Sequence, residues 1–216
     1  MKRRSDWNFY SYSYGEGQEA TVHFDLQAAL FTPETHAWCV RVVVENQTGS
    51  FETTLMDELA DVDGLLVGIL EYSQQQEFVL QLEDKAQFTP HEGTLVELGA
   101  SLEQIDGWGY FDDRVCPTEF DWRRITDREA IECLVRDGLD PTEPIELEHY
   151  FVGDAATLEE IRHQLDPLGF IEVAVDDSRL ALKYKQPLSE VSDVTPSLLN
   201  MCRKMGIVYD GWAQIR

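Results

Sequence analysis

The pattern of apolar and polar residues predicts six elements of secondary structure in the second half of the chain. Residues 145–151 alternate between apolar and polar side chains, which is the period of a half-buried strand. Asp154 suits the N-cap of a first helix, and Pro196 suits the first position of a second helix. Three further strands are predicted at 170–175, 179–185 and 207–213. The resulting order, βαββαβ, is the ferredoxin-like arrangement.

The first half of the chain repeats this order of elements. Apolar residues at helical spacing, including Leu55 and Leu59, predict a helix that stops before Gly64. The segment Thr89-Pro90-His91-Glu92 has the form of a capping box and predicts the second helix. Strands are predicted at 7–14, 20–26, 38–44, 65–72, 76–83 and 105–111. We therefore predict an α+β fold with two ferredoxin-like βαββαβ domains in tandem, the first with an extra N-terminal β-hairpin.

A short repeat supports the idea that the two halves arose by duplication. The segment Ile105-Asp106-Gly107-Trp108-Gly109 returns as Tyr209-Asp210-Gly211-Trp212-Ala213. Between the halves, Thr126-Asp127-Arg128-Glu129 resembles another capping box and predicts a short helix that ends at Gly138. We place the domain boundary near Cys116-Pro117, which gives domains at 1–116 and 117–216.

Net charge narrows the classes of partner. The chain has 41 acidic and 17 basic residues, a formal net charge of -24, while 43% hydrophobic residues favour a globular protein. Such a charge opposes binding to nucleic acid phosphates and to anionic membranes. It favours a cationic partner, or it serves only solubility. Residues 1–116 carry 21 acidic and 6 basic residues, whereas residues 117–216 carry 20 and 11, so the stronger field belongs to the first half.

Motifs for catalysis, cofactors or metals are missing from the sequence. There is no P-loop, no GxSxG and no HExxH, and the five histidines are scattered. We therefore predict no catalytic residue, no cofactor and no metal site. Acidic loops such as Asp112-Asp113 and Asp176-Asp177 keep a metal-dependent hydrolase open as an alternative.

Compartment signals favour the cytoplasm. The residues after Lys2-Arg3-Arg4 are polar and aromatic, unlike a secretory signal, and the apolar run 65–70 is too short to span a bilayer. The four cysteines are widely spaced and form no CxxC motif. Oligomeric state is left open.

Four segments of residues 127–216 carry a family resemblance. They are Leu134-Val135-Arg136-Asp137-Gly138-Leu139-Asp140-Pro141, Ile145-Glu146-Leu147-Glu148-His149-Tyr150-Phe151, Leu168-Gly169-Phe170 and Tyr209-Asp210-Gly211-Trp212. In order, they resemble the G-S-D-P turn, I-E-H-H strand, L-G-Y step and terminal Y-D-G-W of the regulator of ribonuclease E activity B family. Leu139 replaces the serine, and Tyr150 replaces the second histidine of the pair.

The resemblance implies a cytoplasmic, non-catalytic protein. Members of that family bind the basic, arginine-rich non-catalytic region of ribonuclease E and restrain RNA decay. The first half, which opens with Asp6-Trp7-Asn8-Phe9-Tyr10, resembles a domain of unknown function that often precedes such regulators in bacterial proteins. The expected partner is a basic or arginine-rich protein, either ribonuclease E or another RNA-processing enzyme. An immunity-type inhibitor of a cationic nuclease toxin is the second hypothesis.

Candidate partner-binding residues come from one strand and from the repeat. On the strand, Glu146, Glu148 and Tyr150 share the polar face, although a solvated sheet face is the simpler interpretation. His149 lies on the apolar face, where a packed histidine is favoured over a contact residue. In the repeat, a structural role is similarly favoured over recognition. The complete candidate set is Glu146, Glu148, His149, Tyr150, Asp210 and Trp212.

Overall fold

The structure is a computed structural model that describes residues 1–4, 6–14, 17–31, 35–45 and 51–215, without the side chain of Asp106. The chain divides into two units, Met1–Thr118 and Glu119–Arg216. Each unit contains helices and its own antiparallel sheet. The predicted mixed helix and sheet class, with two separate sheets, is confirmed.

The first unit is built on a six-stranded antiparallel sheet. Its strands are β1 (Trp7–Tyr14), β2 (Gln18–Asp25), β3 (Trp38–Glu45), β4 (Gly64–Glu71), β5 (Gln75–Leu82) and β6 (Ala100–Asp106). They lie in the order β1-β2-β4-β5-β3-β6, so the hairpin of β1 and β2 extends the sheet beside β4. The helices are α1 (Leu26–Leu30), α2 (Phe51–Glu58), α3 (Glu92–Glu97) and α4 (Gly109–Arg114).

Both faces of this sheet are buried near its centre. On one face, Leu55 of α2 and Leu95 of α3 pack with Val42 and other strand residues. On the other face, the α4 segment buries Phe111 and Val115 completely, and the hydroxyl of Tyr10 donates to the Val115 carbonyl at 3.3 Å. Two buried faces explain why β4 is apolar along most of its length.

Two local predictions in this unit are wrong. The strand predicted at 105–111 lies earlier, at Ala100–Asp106; Gly107 has a φ of 76°, and the chain then turns into α4. The predicted capping box does not form: Thr89 begins a 3-10 turn, and the Glu92 carboxylate accepts from the Gln104 amide at 2.7 Å. At Glu92 a tertiary contact thus replaces the predicted local one.

The second unit has a four-stranded antiparallel sheet with the order β10-β7-β9-β8. Its strands are β7 (Pro144–Val152), β8 (Ile171–Val175), β9 (Arg179–Pro187) and β10 (Val208–Gln214), and its helices are α5 (Glu119–Arg136), α6 (Ala155–Leu165) and α7 (Val191–Met205). Asp154 caps α6 as predicted, since its carboxylate accepts from the backbone N–H of Thr157 at 3.1 Å.

Two helix starts in this unit are predicted wrongly. The capping box expected at Thr126 lies in the middle of the 18-residue helix α5, and the Thr126 hydroxyl donates to the Trp122 carbonyl one turn earlier at 2.9 Å. Pro196 lies inside α7, which begins five residues before it at Val191. Residues that favour a helix start are tolerated inside both helices because tertiary packing stabilises them.

We predict that Gly68→Ala destabilises the first unit. A Cβ at this position would lie 2.6 Å from Cγ1 of buried Val115, so the unfolding free energy should fall by about 1–3 kcal/mol. Hydrogen exchange at β4 amides measures the loss. Gly93→Ala, which has nothing within 4 Å, is the matched control and should not destabilise. Equal protection in the two variants would contradict the packing of Val115 on β4.

Candidate functional site

The six candidate residues are divided between the two faces of the second sheet. We call the side that carries Leu147, His149 and Phe151 the covered face, because these side chains are fully buried. Phe151 packs there with Leu158 of α6 and Leu198 of α7. The opposite side, which carries Glu146, Glu148, Tyr150 and Lys183, is called the open face.

His149 is enclosed by aromatic side chains on the covered face. Its Nδ1 is hydrogen-bonded to the Tyr209 hydroxyl at 2.8 Å, and the edge of its ring meets Phe170 at a centroid distance of 5.4 Å. Nε2 is buried and has no hydrogen-bond partner among the described residues. Burial lowers the pKa of His149 from 6.5 to about 4, so the ring is neutral at physiological pH.

A buried carboxylate on the same face connects three elements. Asp127 of α5 accepts a hydrogen bond from the Trp212 indole of β10 at 2.8 Å and another from the Thr195 hydroxyl of α7 at 2.5 Å. We call these three residues the Asp127 junction. Burial raises the pKa of Asp127, and the hydrogen bonds from Thr195 and Trp212 oppose this rise without cancelling it.

Sequence reasoning assigned Asp127 to a helix start and missed the junction. A signal was nevertheless present, because Asp127 follows Phe120 by seven residues and precedes Ile131 by four, which places it on the apolar stripe of α5. A lone acid at such a position indicates a buried polar group that needs partners.

The β10 strand contains a bulge at the Asp210-Gly211-Trp212 motif. Its register against β7 shifts between Tyr209 and Gly211, so Asp210 is the extra residue. Gly211 has a φ of 108°, and a Cβ there would lie 2.7 Å from Nη1 of Arg123. Glycine is therefore favoured at this point by its backbone conformation, while the guanidinium of Arg123, the end of a flexible side chain, lies close to it.

The repeated D-G-W sequence has different structures in the two units. In the second unit it runs through β10, whereas in the first unit Asp106 ends β6 and Trp108 lies between the strand and α4. The side chain of Asp106 lies outside the described residues. The repeat therefore does not mark equivalent sites.

The open face carries paired charges. Glu148 faces Lys183 across β7 and β9, and Nζ of Lys183 lies 3.1 Å from Oε1 of Glu146. The Tyr150 hydroxyl donates to Oε2 of Glu148 at 2.7 Å, which raises the pKa of Tyr150. These contacts fix the ring of Tyr150 on the sheet surface.

A groove of about 260 Å³ crosses the open face beside Tyr150. Its lining includes Ala181 of β9, Ala174 of β8 and, at opposite sides of the sheet, Asp210 and Asp176. Two of the six candidates, Tyr150 and Asp210, thus lie together at one concave surface. Glu146 and Glu148 lie on the same face outside this lining, and His149 and Trp212 lie on the covered face.

Two cations of the first unit, Arg41 and Lys85, are engaged by neighbours within that unit. Arg41 forms a bidentate pair with buried Glu77 at 2.7 and 2.9 Å and reaches Glu103 at 3.0 Å. Burial alone raises the pKa of Glu77, but hydrogen bonds from Arg41 and Tyr110 lower it overall. The Lys85 ammonium lies 4.5 Å from the ring centroid of Trp38. Many carboxylates of this unit therefore have no compensating charge.

The residues that the structure describes contain neither a grouped set of metal ligands nor a helix that could span a membrane. No three His, Cys, Asp or Glu side chains among them are grouped to hold a metal ion. Over the same residues, no helix is both long and apolar enough to cross a bilayer.

Comparison with known protein families finds a match within the second unit. Residues 124–213 match the family model of regulator of ribonuclease activity B. No curated protein matches the chain with significant similarity. The match to this family model confirms the predicted resemblance for the C-terminal half of the chain. The match begins within α5 and ends in β10, so it includes all three residues of the Asp127 junction.

We predict that Asp127→Ala destabilises the second unit by about 2–4 kcal/mol, because two donors lose their acceptor inside the protein. Asp127→Asn is the matched variant: its amide oxygen can still accept one of the two hydrogen bonds, so the loss should be smaller. Urea unfolding followed at the Trp212 indole NMR signal measures both changes. A loss below about 0.5 kcal/mol for Asp127→Ala would exclude a stabilising junction.

We predict that acid destabilises the second unit through His149. Because its folded pKa is about 4 and its ordinary value is 6.5, the unfolded chain binds the extra proton in this interval. Neutral His149 therefore contributes its full stabilisation above pH 6.5. As the pH falls from 6.5 to about 4, the unfolding free energy decreases by about 3 kcal/mol.

The comparison of wild type with His149→Asn isolates this contribution. The asparagine variant should be less stable at neutral pH, but its unfolding free energy should decline less between pH 6.5 and 4. The same Trp212 signal measures the unfolding transition. Parallel curves for the two proteins would show that His149 does not titrate in this way.

Proposed function

We propose that this protein is a non-catalytic regulator that acts by binding a ribonuclease in the cytoplasm. The observation that carries this proposal is the match of residues 124–213 to regulator of ribonuclease activity B. A binding role needs an accessible surface and no reacting groups. The open face of the second unit offers such a surface, with Tyr150 and Asp210 at its groove.

We further propose that the bound segment is basic and rich in arginine, as in the non-catalytic region of ribonuclease E. The net charge of -24 supports this choice, because long-range attraction raises the rate of encounter with a cationic segment. The first unit contributes most of this charge, and its Arg41 is neutralised internally by Glu77 and Glu103.

Within the second unit, the six candidate residues receive two proposed roles. Glu146, Glu148, Tyr150 and Asp210 are proposed as contacts because they lie on the open face. His149 and Trp212 are buried or half-buried on the covered face, and they are proposed to hold the sheet against the helices. Both of these roles are predictions.

We also propose that the domains 1–116 and 117–216 both have the ferredoxin-like arrangement. Strand order supports this in the second unit, where the fourth strand lies beside the first and the third lies between the first and second. The four strands β3 to β6 have the same order in the first unit, with the N-terminal hairpin added at one edge.

We predict that the full chain binds the arginine-rich region of ribonuclease E and slows RNA cleavage by the intact enzyme. Binding should weaken by about tenfold or more between about 50 and 300 mM salt, because exposed charges are screened. Fluorescence anisotropy of the labelled region measures the affinity, and decay of a labelled RNA measures inhibition.

Ribonuclease E without the arginine-rich region is the control, and its cleavage rate should be unaffected. Binding that does not depend on salt would contradict the electrostatic part of the proposal. Absence of both binding and inhibition would contradict the proposed function as a whole.

A further inference from the structure

We propose that the groove on the open face of the second unit binds one arginine side chain of a basic protein segment. This inference rests on the proposed function and names the contact that anchors the partner. The groove is a surface feature of a single unit, and its residues lie on all four strands of that sheet.

The floor of the groove is apolar and shallow because two alanines lie there. Ala174 of β8 and Ala181 of β9 are directly paired, so their methyl groups share the open face. Tyr150 pairs with Ala181 from the other side and forms an aromatic wall. An arginine stem can lie over the alanines while its planar guanidinium stacks against the tyrosine ring.

The carboxylates at the two sides of the groove are not equivalent. Asp176 accepts hydrogen bonds at Oδ1 from the backbone N–H groups of Ser178 and Arg179 at 2.8 and 2.7 Å, which hold this carboxylate in the hairpin turn. Arg179 also lines the groove, and its positive charge disfavours a guanidinium next to it. Asp210 is exposed at the β10 bulge and has no ion pair or hydrogen bond from another described side chain. We therefore place the incoming guanidinium at Asp210, which is unengaged by described side chains.

The dimensions favour a side chain over a small-molecule ligand. At about 260 Å³ the groove is smaller than the pockets of about 300–1,000 Å³ that enclose drug-sized molecules. The Asp210 carboxylate near the Tyr150 ring suits arginine better than lysine, since a guanidinium can bind the carboxylate with two hydrogen bonds and also stack.

The test uses the full chain and two probes, a short arginine–glycine peptide and the same peptide with lysine in place of arginine. Ala174→Leu fills the groove, and Ala213→Leu adds the same atoms to the open face outside its lining. Asp210→Asn removes the free charge, and Asp137→Asn removes an equal charge from an exposed turn. Circular dichroism establishes that each variant is folded.

We expect the arginine peptide to bind the wild type more tightly than the lysine peptide. Ala174→Leu and Asp210→Asn should each weaken arginine-peptide binding by about tenfold, whereas Ala213→Leu and Asp137→Asn should change it less than about twofold. Equal affinity for the two peptides, or equal effects of groove and control variants, would overturn the inference.

A parallel titration with the arginine-rich region of ribonuclease E separates the two proposals. If that region binds the wild type and all four variants equally, the proposed function stands and the groove assignment fails. If the peptide binds in the groove but ribonuclease E does not bind, the groove assignment stands and the proposed partner is wrong.

Discussion

The second unit depends on the need of one buried carboxylate for hydrogen-bond donors. An unpartnered charge inside a protein is very unfavourable, so Asp127 of α5 constrains the positions of the elements that supply its partners. Thr195 of α7 and Trp212 of β10 each donate a hydrogen bond to this carboxylate. With both helices held on the covered face, the other side of the sheet is left free for Tyr150 and its neighbours.

Much of this fold was predictable from local sequence, and the failures have a common cause. The alternation around His149 identified β7 and the residues on each of its faces, because the two faces differ in solvent contact. By contrast, Thr126 and Pro196 carry strong local signals for helix starts, yet both lie inside longer helices. Packing against distant residues decides these boundaries, and a local pattern contains no information about such partners.

In the candidate site, too, the features set by local sequence were predictable and those set by distant contacts were not. Tyr150 and Glu148 were placed on a polar sheet face by their spacing alone, and the structure puts them there. The groove beside Tyr150 could not be predicted, because it requires the bulge at Asp210 and the pairing of Ala174 with Ala181. Similarly, the sequence repeat at Trp108 suggested a duplication, but the chain there turns into α4 whereas the copy at Trp212 lies in β10.

A charge-guided regulator should hold its partner on the open face while its covered face stays packed. The most direct test is an NMR titration of the isotope-labelled full chain with the arginine-rich region of ribonuclease E. The account predicts shifts for the amides of Tyr150, Ala181 and Asp210, with the Trp212 indole signal little changed. Shifts confined to α6 and α7, or no shift at saturating concentration, would contradict it.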